Sequence, residues 1–505
     1  MSSSFSSHLL EYATGSRAFR RLLRRLVNVN RLEDVMDVAE GKRNARSVSG
    51  LIASGVVRAI TSVGASAFGA SPSLIKEQLS NPLFRKAFSS VVKGLLKFGM
   101  TRPFVPGAPF QVVWNVTRQC NLHCKHCYEN AGRRQPDELT TKEALACIDM
   151  LAREGVVFLA FSGGEPTLRS DILLLIERAA SHGMYVAIAT NGLTFADREK
   201  VQVFKDAGVS FVQISLDGCN PETHDSFRGV YGAFKRTLKA IENCASEDLF
   251  VEVAMTATHH NLKEVDTTIS LANSLGARWF MVYNFVPTGR GQQIVDSDLT
   301  PSEREELLGN LWKRIRAKDE SCAMEILSTA PQLGRLARQT TQKAINGEAM
   351  SIFPTHFSNA RLPERMKDLS SFIGGCGAGR FYLAVEPNGD IYPCVFFPHE
   401  PKVLLGNVKT TDFGHMWTQS RVLSELRNRD LLQGHCGSCE NRDVCGGCRA
   451  RAVGYFGDYL DSDPGCVNNY DAWTVLVHGT RHLRPAQTEH PEMYSTQSSR
   501  GRSSA

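Results

Sequence analysis

The sequence predicts an α/β protein centred on a parallel β-sheet. Three observations point there. Between residues 110 and 285, six short apolar runs alternate with amphipathic helical stretches, the pattern of repeated β-α units. The hundred residues before them carry helical periodicity without that alternation. After about residue 370 the chain turns cysteine-rich, with closely spaced pairs.

Taken in order, the N-terminal part comes first. Phe19, Leu22, Leu23, Leu26 and Val27 recur at helical spacing, with Arg20, Arg21, Arg24 and Arg25 on the other face. Two readings fit this basic amphipathic helix: attachment to an anionic membrane surface, or packing on the protein with a solvated arginine face. The apolar stretch from Leu51 to Ala70 is interrupted by Arg58, serines and glycines, so no spanning helix is expected.

The expected strands are Phe110–Val116, Val156–Phe161, Tyr185–Ala189, Phe211–Leu216, Phe250–Ala257 and Arg278–Phe285. Thr140-Thr141-Lys142-Glu143 reads as a capping box that opens a helix, and Gly155 stops it. Residues 292 to about 370 read as helices joined by loops, one of them starting at Thr300-Pro301-Ser302-Glu303.

Composition narrows the class. A chain of 505 residues suits two or three domains, and 42% hydrophobic residues suffice for packed cores. Of the net charge of +6, residues 1–58 carry +5, from ten Lys/Arg against five Asp/Glu. This argues against a basic nucleic-acid cleft across the body of the protein, and no nucleic-acid partner is expected. Fourteen cysteines without a secretory start point to metal or iron–sulfur sites in a reducing cytoplasm rather than to disulfides.

The first expected strand runs into Cys120-Asn121-Leu122-His123-Cys124-Lys125-His126-Cys127-Tyr128. Three cysteines at C-x3-C-x2-C spacing supply three of the four thiolates that a [4Fe-4S] cluster takes. One iron then keeps an open position, as catalytic metal sites do. Half of a zinc site is the competing reading, but zinc would need a fourth ligand. The stretch resembles the cluster loop of the radical S-adenosylmethionine (SAM) enzymes. The resemblance implies that Cys120, Cys124 and Cys127 are catalytic cluster ligands and that SAM chelates the open iron. Reductive cleavage of SAM to methionine and a 5'-deoxyadenosyl radical would follow, and then hydrogen abstraction from a substrate. It also implies that the sheet is a partial (β/α)6 TIM-like barrel with its chemistry at the C-terminal strand ends.

The strand ends extend the resemblance. Ser162-Gly163-Gly164-Glu165-Pro166 resembles the family's GGE motif, which implies that Gly163 and Gly164 allow close approach to SAM and that Glu165 accepts from its ammonium group. Thr190-Asn191-Gly192 and Ser215-Leu216-Asp217-Gly218 follow the third and fourth strands, and the family pattern puts Ser215 and Asp217 near the SAM ribose and carboxylate. Tyr128 and Asn191 complete the expected cofactor contacts. Asn284 to Gly291 is expected to pass the adenine, with Arg290 toward anionic groups. His224, Asp225 and Arg228 are open between capping or packing and a substrate role.

The second cysteine group is Cys376, Cys394, Cys436, Cys439, Cys445, Cys448 and Cys466. The C-x2-C pairs alone also suit a zinc ribbon, which would leave Cys376, Cys394 and Cys466 unused. The order resembles the SPASM extension, which binds two auxiliary [4Fe-4S] clusters. The resemblance assigns Cys436, Cys439, Cys445 and Cys466 to a distal cluster, and Cys376, Cys394 and Cys448 to a proximal one. Seven thiolates for two clusters leave the proximal cluster one ligand short, with Tyr382 in the region where many members have another cysteine. Cys147, Cys219, Cys244 and Cys322 are isolated and read as small core residues.

Cys445-Gly446-Gly447-Cys448-Arg449-Ala450-Arg451 and Asp463-Pro464-Gly465-Cys466 resemble most the tetrapyrrole branch, enzymes of the alternative haem pathway and of the nitrite-reductase haem. In that reading Arg449 and Arg451 pair with substrate carboxylates; solvated arginines are the simpler account. Peptide maturation and a membrane-lipid substrate are the other classes. The partners expected are a small-molecule or peptide substrate, a ferredoxin- or flavodoxin-type reductant, and peripheral membrane contact through the N-terminal helix. The expected layout is a helical extension over 1–105, the barrel over 106–291, a helical bridge over 292–370, a SPASM-like domain over 371–479 and a disordered tail over 480–505.

Overall fold

The computed structural model describes residues 78–317, 324–343 and 372–478 without a break, and short stretches of the first 58 residues. The apolar face expected at Phe19, Leu22, Leu23, Leu26 and Val27, and the tail after Thr480, lie outside the described residues. Among the described residues no helix is long and apolar enough to cross a membrane.

One sheet organises the molecule. Its strands are β1 (Gln111–Asn115), β2 (Phe158–Ser162), β3 (Tyr185–Thr190), β4 (Val209–Ser215), β5 (Phe250–Ala257), β6 (Trp279–Asn284), β7 (Glu325–Ser328), β8 (Tyr382–Val385), β9 (Asp390–Tyr392) and β10 (Gly406–Asn407). They lie in the order β10-β9-β8-β1-β2-β3-β4-β5-β6-β7. Pairing is parallel from β8 to β7, and β9 and β10 close the other edge antiparallel. The six expected strands are present with ends shifted by at most two residues.

Two parallel strands go beyond the sequence prediction. β7 falls in the interval expected to hold only helices and loops, and β8 joins the cysteine-rich part to β1 in register Gln111↔Tyr382 to Trp114↔Val385. Each is four residues long, too short to show periodicity. The consequence of β8 is that the barrel and the cysteine-rich part share a sheet.

The helices follow the capping chemistry of the sequence. Thr140 and Glu143 form the reciprocal box at the start of Thr141–Glu154, and Gly155 ends that helix at φ 95°. Thr300 and Glu303 bond in the same reciprocal way ahead of Pro301–Ala317. Thr141–Glu154 buries Ala144, Cys147, Ile148 and Leu151, one stripe at helical spacing, against the sheet. Strand residues such as Phe161, Ile188, Ile214 and Val253 are wholly buried beneath such helices. Each full burial of this kind contributes about 1.5–3 kcal/mol. Of the four isolated cysteines expected in the core, Cys147 and Cys244 belong to it, Cys219 is only partly buried outside it, and Cys322 lies outside the described residues. Because the strands run parallel, the loops after β1 to β6 all emerge on one side, and the sequence motifs meet there.

Candidate active site

Those loops surround a cavity of about 140 Å³. Cys120, Cys124 and Cys127 line it together with Tyr128, Gly163, Gly164, Asn191 and Ser215. Motifs spread over about a hundred residues of sequence therefore converge on one space.

The cysteine loop is held by main-chain bonds from three other loops. His123 N and Lys125 N donate to Arg228 O and Phe227 O at 3.0 and 2.9 Å. Arg290 N donates to Cys127 O at 2.8 Å, and Glu165 N to Gln119 O at 2.8 Å. Two glycines make this packing possible. A Cβ on Gly164 would stand 2.3 Å from Gln119 O, and one on Gly289, at φ 55°, 2.1 Å from Tyr128 O. The close approach that Gly164 allows is thus, in the first place, to the cysteine loop itself.

Each sulfur of the loop accepts from an N–H group. Leu122 N points at Cys120 Sγ (3.4 Å), Ala131 N at Cys127 Sγ (3.4 Å) and Arg228 Nη1 at Cys124 Sγ (3.6 Å). Burial pushes the Cys120 thiol up to about 12 and raises Cys127 as well. Thiolates at all three positions, side by side in a buried loop, need a positive centre between them. The donor set fits a [4Fe-4S] cluster bound by three cysteines, and the N–H···S contacts are of the kind that tune such clusters.

Two expected SAM contacts lie behind the cavity wall instead. Glu165 is fully buried and absent from the lining. Its carboxylate accepts from Thr167 N (3.2 Å), Thr167 Oγ1 (2.6 Å), Thr190 Oγ1 (2.8 Å) and Asn191 N (2.8 Å), and so ties the end of β2 to the end of β3. Asp217 is also fully buried, 2.6 Å from Arg228 Nη2 and 3.4 Å from His126 Nε2, and it accepts from Thr256 N at 2.8 Å. Burial works to raise its carboxyl, but Arg228 and His126 hold it below the usual range. Asp217 thus anchors Arg228, and Arg228 reaches Cys124. A short loop after a buried strand carries side chains toward the core as readily as toward the cavity, and sequence does not distinguish the two.

The arginines and histidines sort in the same way. Arg290 lines the cavity, but its guanidinium bonds the cysteine loop at Cys124 O (2.8 Å) and Ala131 O (3.2 Å) rather than facing an anion. Asp225 caps the helix Ala233–Ser246 by accepting from Gly232 N and Phe234 N, both at 2.7 Å. His224 Nδ1 accepts from Asp217 N at 3.1 Å. Burial pulls His224 and His126 down to about 4, so both are neutral near pH 7. Of the three residues left open at the sequence level, only Arg228 lines the cavity.

Arg449 and Arg451 are not available to a substrate. Arg449 is buried, with Nη1 donating to Tyr459 O and Asp461 O and Nη2 directed at Cys436 Sγ (3.8 Å). Arg451 is wholly buried between Asp298 (2.8 Å) and Asp463 (3.1 Å). Their sequence context, next to clustered cysteines, carries no sign of burial.

In the cysteine-rich part, Cys436 and Cys466 lie close enough to Cys445 to raise its thiol, and Cys436 lies close enough to Cys466 to raise that one, in both cases after burial itself. Cys376 acts in the same way on Cys394 and Cys448. Asn441 N and Gly447 N donate to Cys439 Sγ and Cys445 Sγ, both at 3.4 Å. A Cβ on Gly447 would lie 3.1 Å from Cys436 Sγ, so the glycine leaves that sulfur its room.

Three cavity residues escape sequence reading. Gln213 and Tyr283 come from β4 and β6, and Phe396 comes from the cysteine-rich part. Phe396 packs edge-on to Tyr128 and Tyr283 at 5.2 and 5.9 Å. Gln213 donates to Tyr283 Oη at 2.8 Å and to the carboxylate of Glu252 on β5. The inward side chains of a barrel strand alternate with its helix-facing ones, which is the one signal that marks Gln213, Glu252 and Tyr283.

Burial raises Glu252 to about 7 from 4.5. Its carboxyl is thus protonated more readily in the folded state than in the unfolded one. The resulting stability is complete below about pH 4.5, falls as pH rises to about 7, and stays lost above. The shift corresponds to about 3 kcal/mol. Glu252→Gln is therefore expected to melt well above the parent protein at pH 8 and close to it at pH 5. Equal melting temperatures of the two proteins at pH 8 would refute the assignment.

The comparisons agree with this architecture. The family model for the Radical SAM superfamily matches residues 114–272, and that for the iron–sulfur cluster-binding SPASM domain matches residues 376–449. An AdoMet-dependent heme synthase of Methanosarcina barkeri is 36% identical over 361 residues, 71% of this chain and 97% of that protein. A mycofactocin maturase of Mycobacterium ulcerans is 32% identical over 387 residues, 76% of this chain and 94% of the relative. In fold, the crystal structure of Streptococcus suis SuiB bound to its precursor peptide SuiA aligns with a TM-score of 0.56 at 16% identity, over 75% of this chain and 79% of that one. With its three-cysteine loop, its parallel sheet and its cysteine-rich extension, the chain belongs to the radical SAM superfamily and is an enzyme that uses a [4Fe-4S] cluster and SAM, with a SPASM domain for auxiliary clusters.

Proposed function

We propose that this enzyme oxidatively decarboxylates the acid side chains of a tetrapyrrole in the making of a haem-type cofactor. The observation that carries the reading is the 36% identity across 97% of a heme synthase. In this proposal Cys120, Cys124 and Cys127 hold the catalytic cluster. Tyr128, Gly163, Gly164, Asn191 and Ser215 form the SAM-facing wall, supported by their place on the cavity lining. Glu165 and Asp217 act from behind, one fixing the β2 and β3 ends and the other fixing Arg228.

The bound cofactors supply hydrogen-atom abstraction. Loss of one hydrogen, one CO2 and one electron turns a propionate side chain into a vinyl group. The hydrogen leaves as 5'-deoxyadenosine, and the electron needs an acceptor near the cavity. Phe396 lines the cavity from the cysteine-rich part, just after Cys394, so the two lie close together. Cys376, Cys394 and Cys448 would hold the nearer auxiliary cluster, and Cys436, Cys439, Cys445 and Cys466 the farther one. The aromatic side formed by Tyr128, Tyr283 and Phe396 suits the flat face of a macrocycle. A low-potential ferredoxin or flavodoxin would deliver the reducing electron in a cytoplasmic setting.

The test is incubation of the reconstituted enzyme with iron-coproporphyrin or didecarboxysirohaem, SAM and a reductant, followed by mass spectrometry. Loss of carboxyl groups in step with 5'-deoxyadenosine is expected. Unchanged porphyrin masses in a preparation that still cleaves SAM would overturn the reading in favour of a peptide, the ligand held by the fold neighbour SuiB.

A further inference from the structure

Beside the cavity, where the cysteine loop meets the cysteine-rich part, three separate segments bring Glu129, Glu386 and His399 together. One oxygen of each glutamate and one ring nitrogen of the histidine lie within 4.8 Å of one another. The side chains of Glu129 and Glu386 are 1% and 2% exposed, and that of His399 is 34% exposed. Asn115, at the end of β1, stands behind them. Its Nδ2 donates to Glu129 Oε1 at 2.7 Å and to Glu386 Oε1 at 3.1 Å.

The group is not a satisfied hydrogen-bond network. Oε2 of Glu129 and Oε2 of Glu386 are both buried with no hydrogen-bond partner. Two carboxyls this close inside a protein need either a shared proton or a cation between them. Of the basic side chains along the same loop, Arg118 pairs with Asp137 at 2.9 Å and Arg134 with Glu138 at 3.3 Å. His399 Nε2 lies 3.3 Å from Glu386 Oε1 and 3.7 Å from Glu129 Oε1. These distances are long for a charge-assisted hydrogen bond, which closes to about 2.7–2.9 Å. They suit two ligands of one ion, since atoms bound at about 2.1 Å in tetrahedral directions stand about 3.4 Å apart.

We propose that Glu129, Glu386 and His399 bind a divalent cation of the manganese, iron(II) or zinc class, which matches a donor set of two carboxylates and one imidazole. The ion joins the loop that carries Cys127 to the residue that follows β8, and so fixes the cysteine-rich part against the cavity. Asn115 links it to the cavity, because its Oδ1 accepts from Tyr128 Oη at 3.2 Å. The partial exposure of His399 provides the entry path.

Manganese(II) is the suitable probe, since as an oxygen- and nitrogen-preferring ion it ignores the cysteines. The chelator-treated, fully reconstituted enzyme is titrated with Mn2+ while the electron paramagnetic signal of the free ion is followed. One ion bound per chain is expected, with affinity weakened roughly tenfold or more in His399→Ala and Glu386→Gln. His399→Ala changes a partly exposed residue and keeps the test valid if Glu386→Gln misfolds. An unchanged iron content in both variants shows that the clusters are intact. No bound ion in the parent enzyme, or equal affinity in parent and His399→Ala, overturns the proposal and leaves a proton shared between the two carboxyls.

Discussion

Cys124→Ala is expected to abolish cleavage of SAM, by more than about a thousandfold, or about 4 kcal/mol of transition-state stabilisation. Cys124 is 8% exposed and its sulfur accepts from Arg228 Nη1 at 3.6 Å, inside a loop clamped by three other segments. The auxiliary cysteines lie on a separate part of the chain, so the variant should keep about eight of about twelve iron atoms, counting four per cluster. Formation of 5'-deoxyadenosine by the anaerobically reconstituted protein, measured beside its iron content, checks both statements. Cleavage at the parent rate would show that the cysteine loop is not the catalytic centre.

The second large effect is on stability. Arg451→Ala is expected to cost about 3–5 kcal/mol, the range for removing one partner from a buried ion pair. Arg451 has no exposed surface and bridges Asp298 and Asp463, while Nη1 donates to Phe285 O at 2.5 Å. Asp298 is shared with Arg304 (2.6 Å) and Tyr455 Oη (2.6 Å). Asp463 accepts from Cys448 N (2.8 Å) and Gln332 Nε2 (2.7 Å). Without the guanidinium, two carboxylates lose their shared counter-charge at the seam between the end of β6 and the cysteine-rich part. Thermal melting and limited proteolysis should show the seam opening first. A melting temperature equal to that of the parent would mean that the two aspartates find their charge elsewhere.

The substitution Arg451→Met with Asp463→Asn is informative beside it. Removing charge on both sides of a buried pair avoids an uncompensated ion, so this double variant should recover part of the loss.

The sequence alone determined the elements whose cause is local. Helix starts at Thr140 and Thr300 follow from capping boxes, which need only four consecutive residues. The six strands followed from short apolar runs, and the three-cysteine loop followed from its spacing, because the ligands of one cluster loop are neighbours in the chain. These features predicted the fold class and a three-cysteine cluster site, and the family resemblance carried by the motifs added SAM and the auxiliary clusters.

Only the tertiary structure decided what depends on which way a side chain points and on pairing across long separations. Glu165 and Asp217 sit in loops that border the cavity, yet both turn to the interior, since their hydrogen-bond partners come from β3 and from Arg228. Arg449 and Arg451 resemble surface arginines until Asp298, more than 150 residues earlier, is brought against the second of them. β8 is too short to read as a strand and exists through its pairing with β1. Glu129, Glu386 and His399 have no common motif, being separated by 257 and 13 residues; the parallel sheet that places the end of β8 beside the end of β1 is what makes them neighbours.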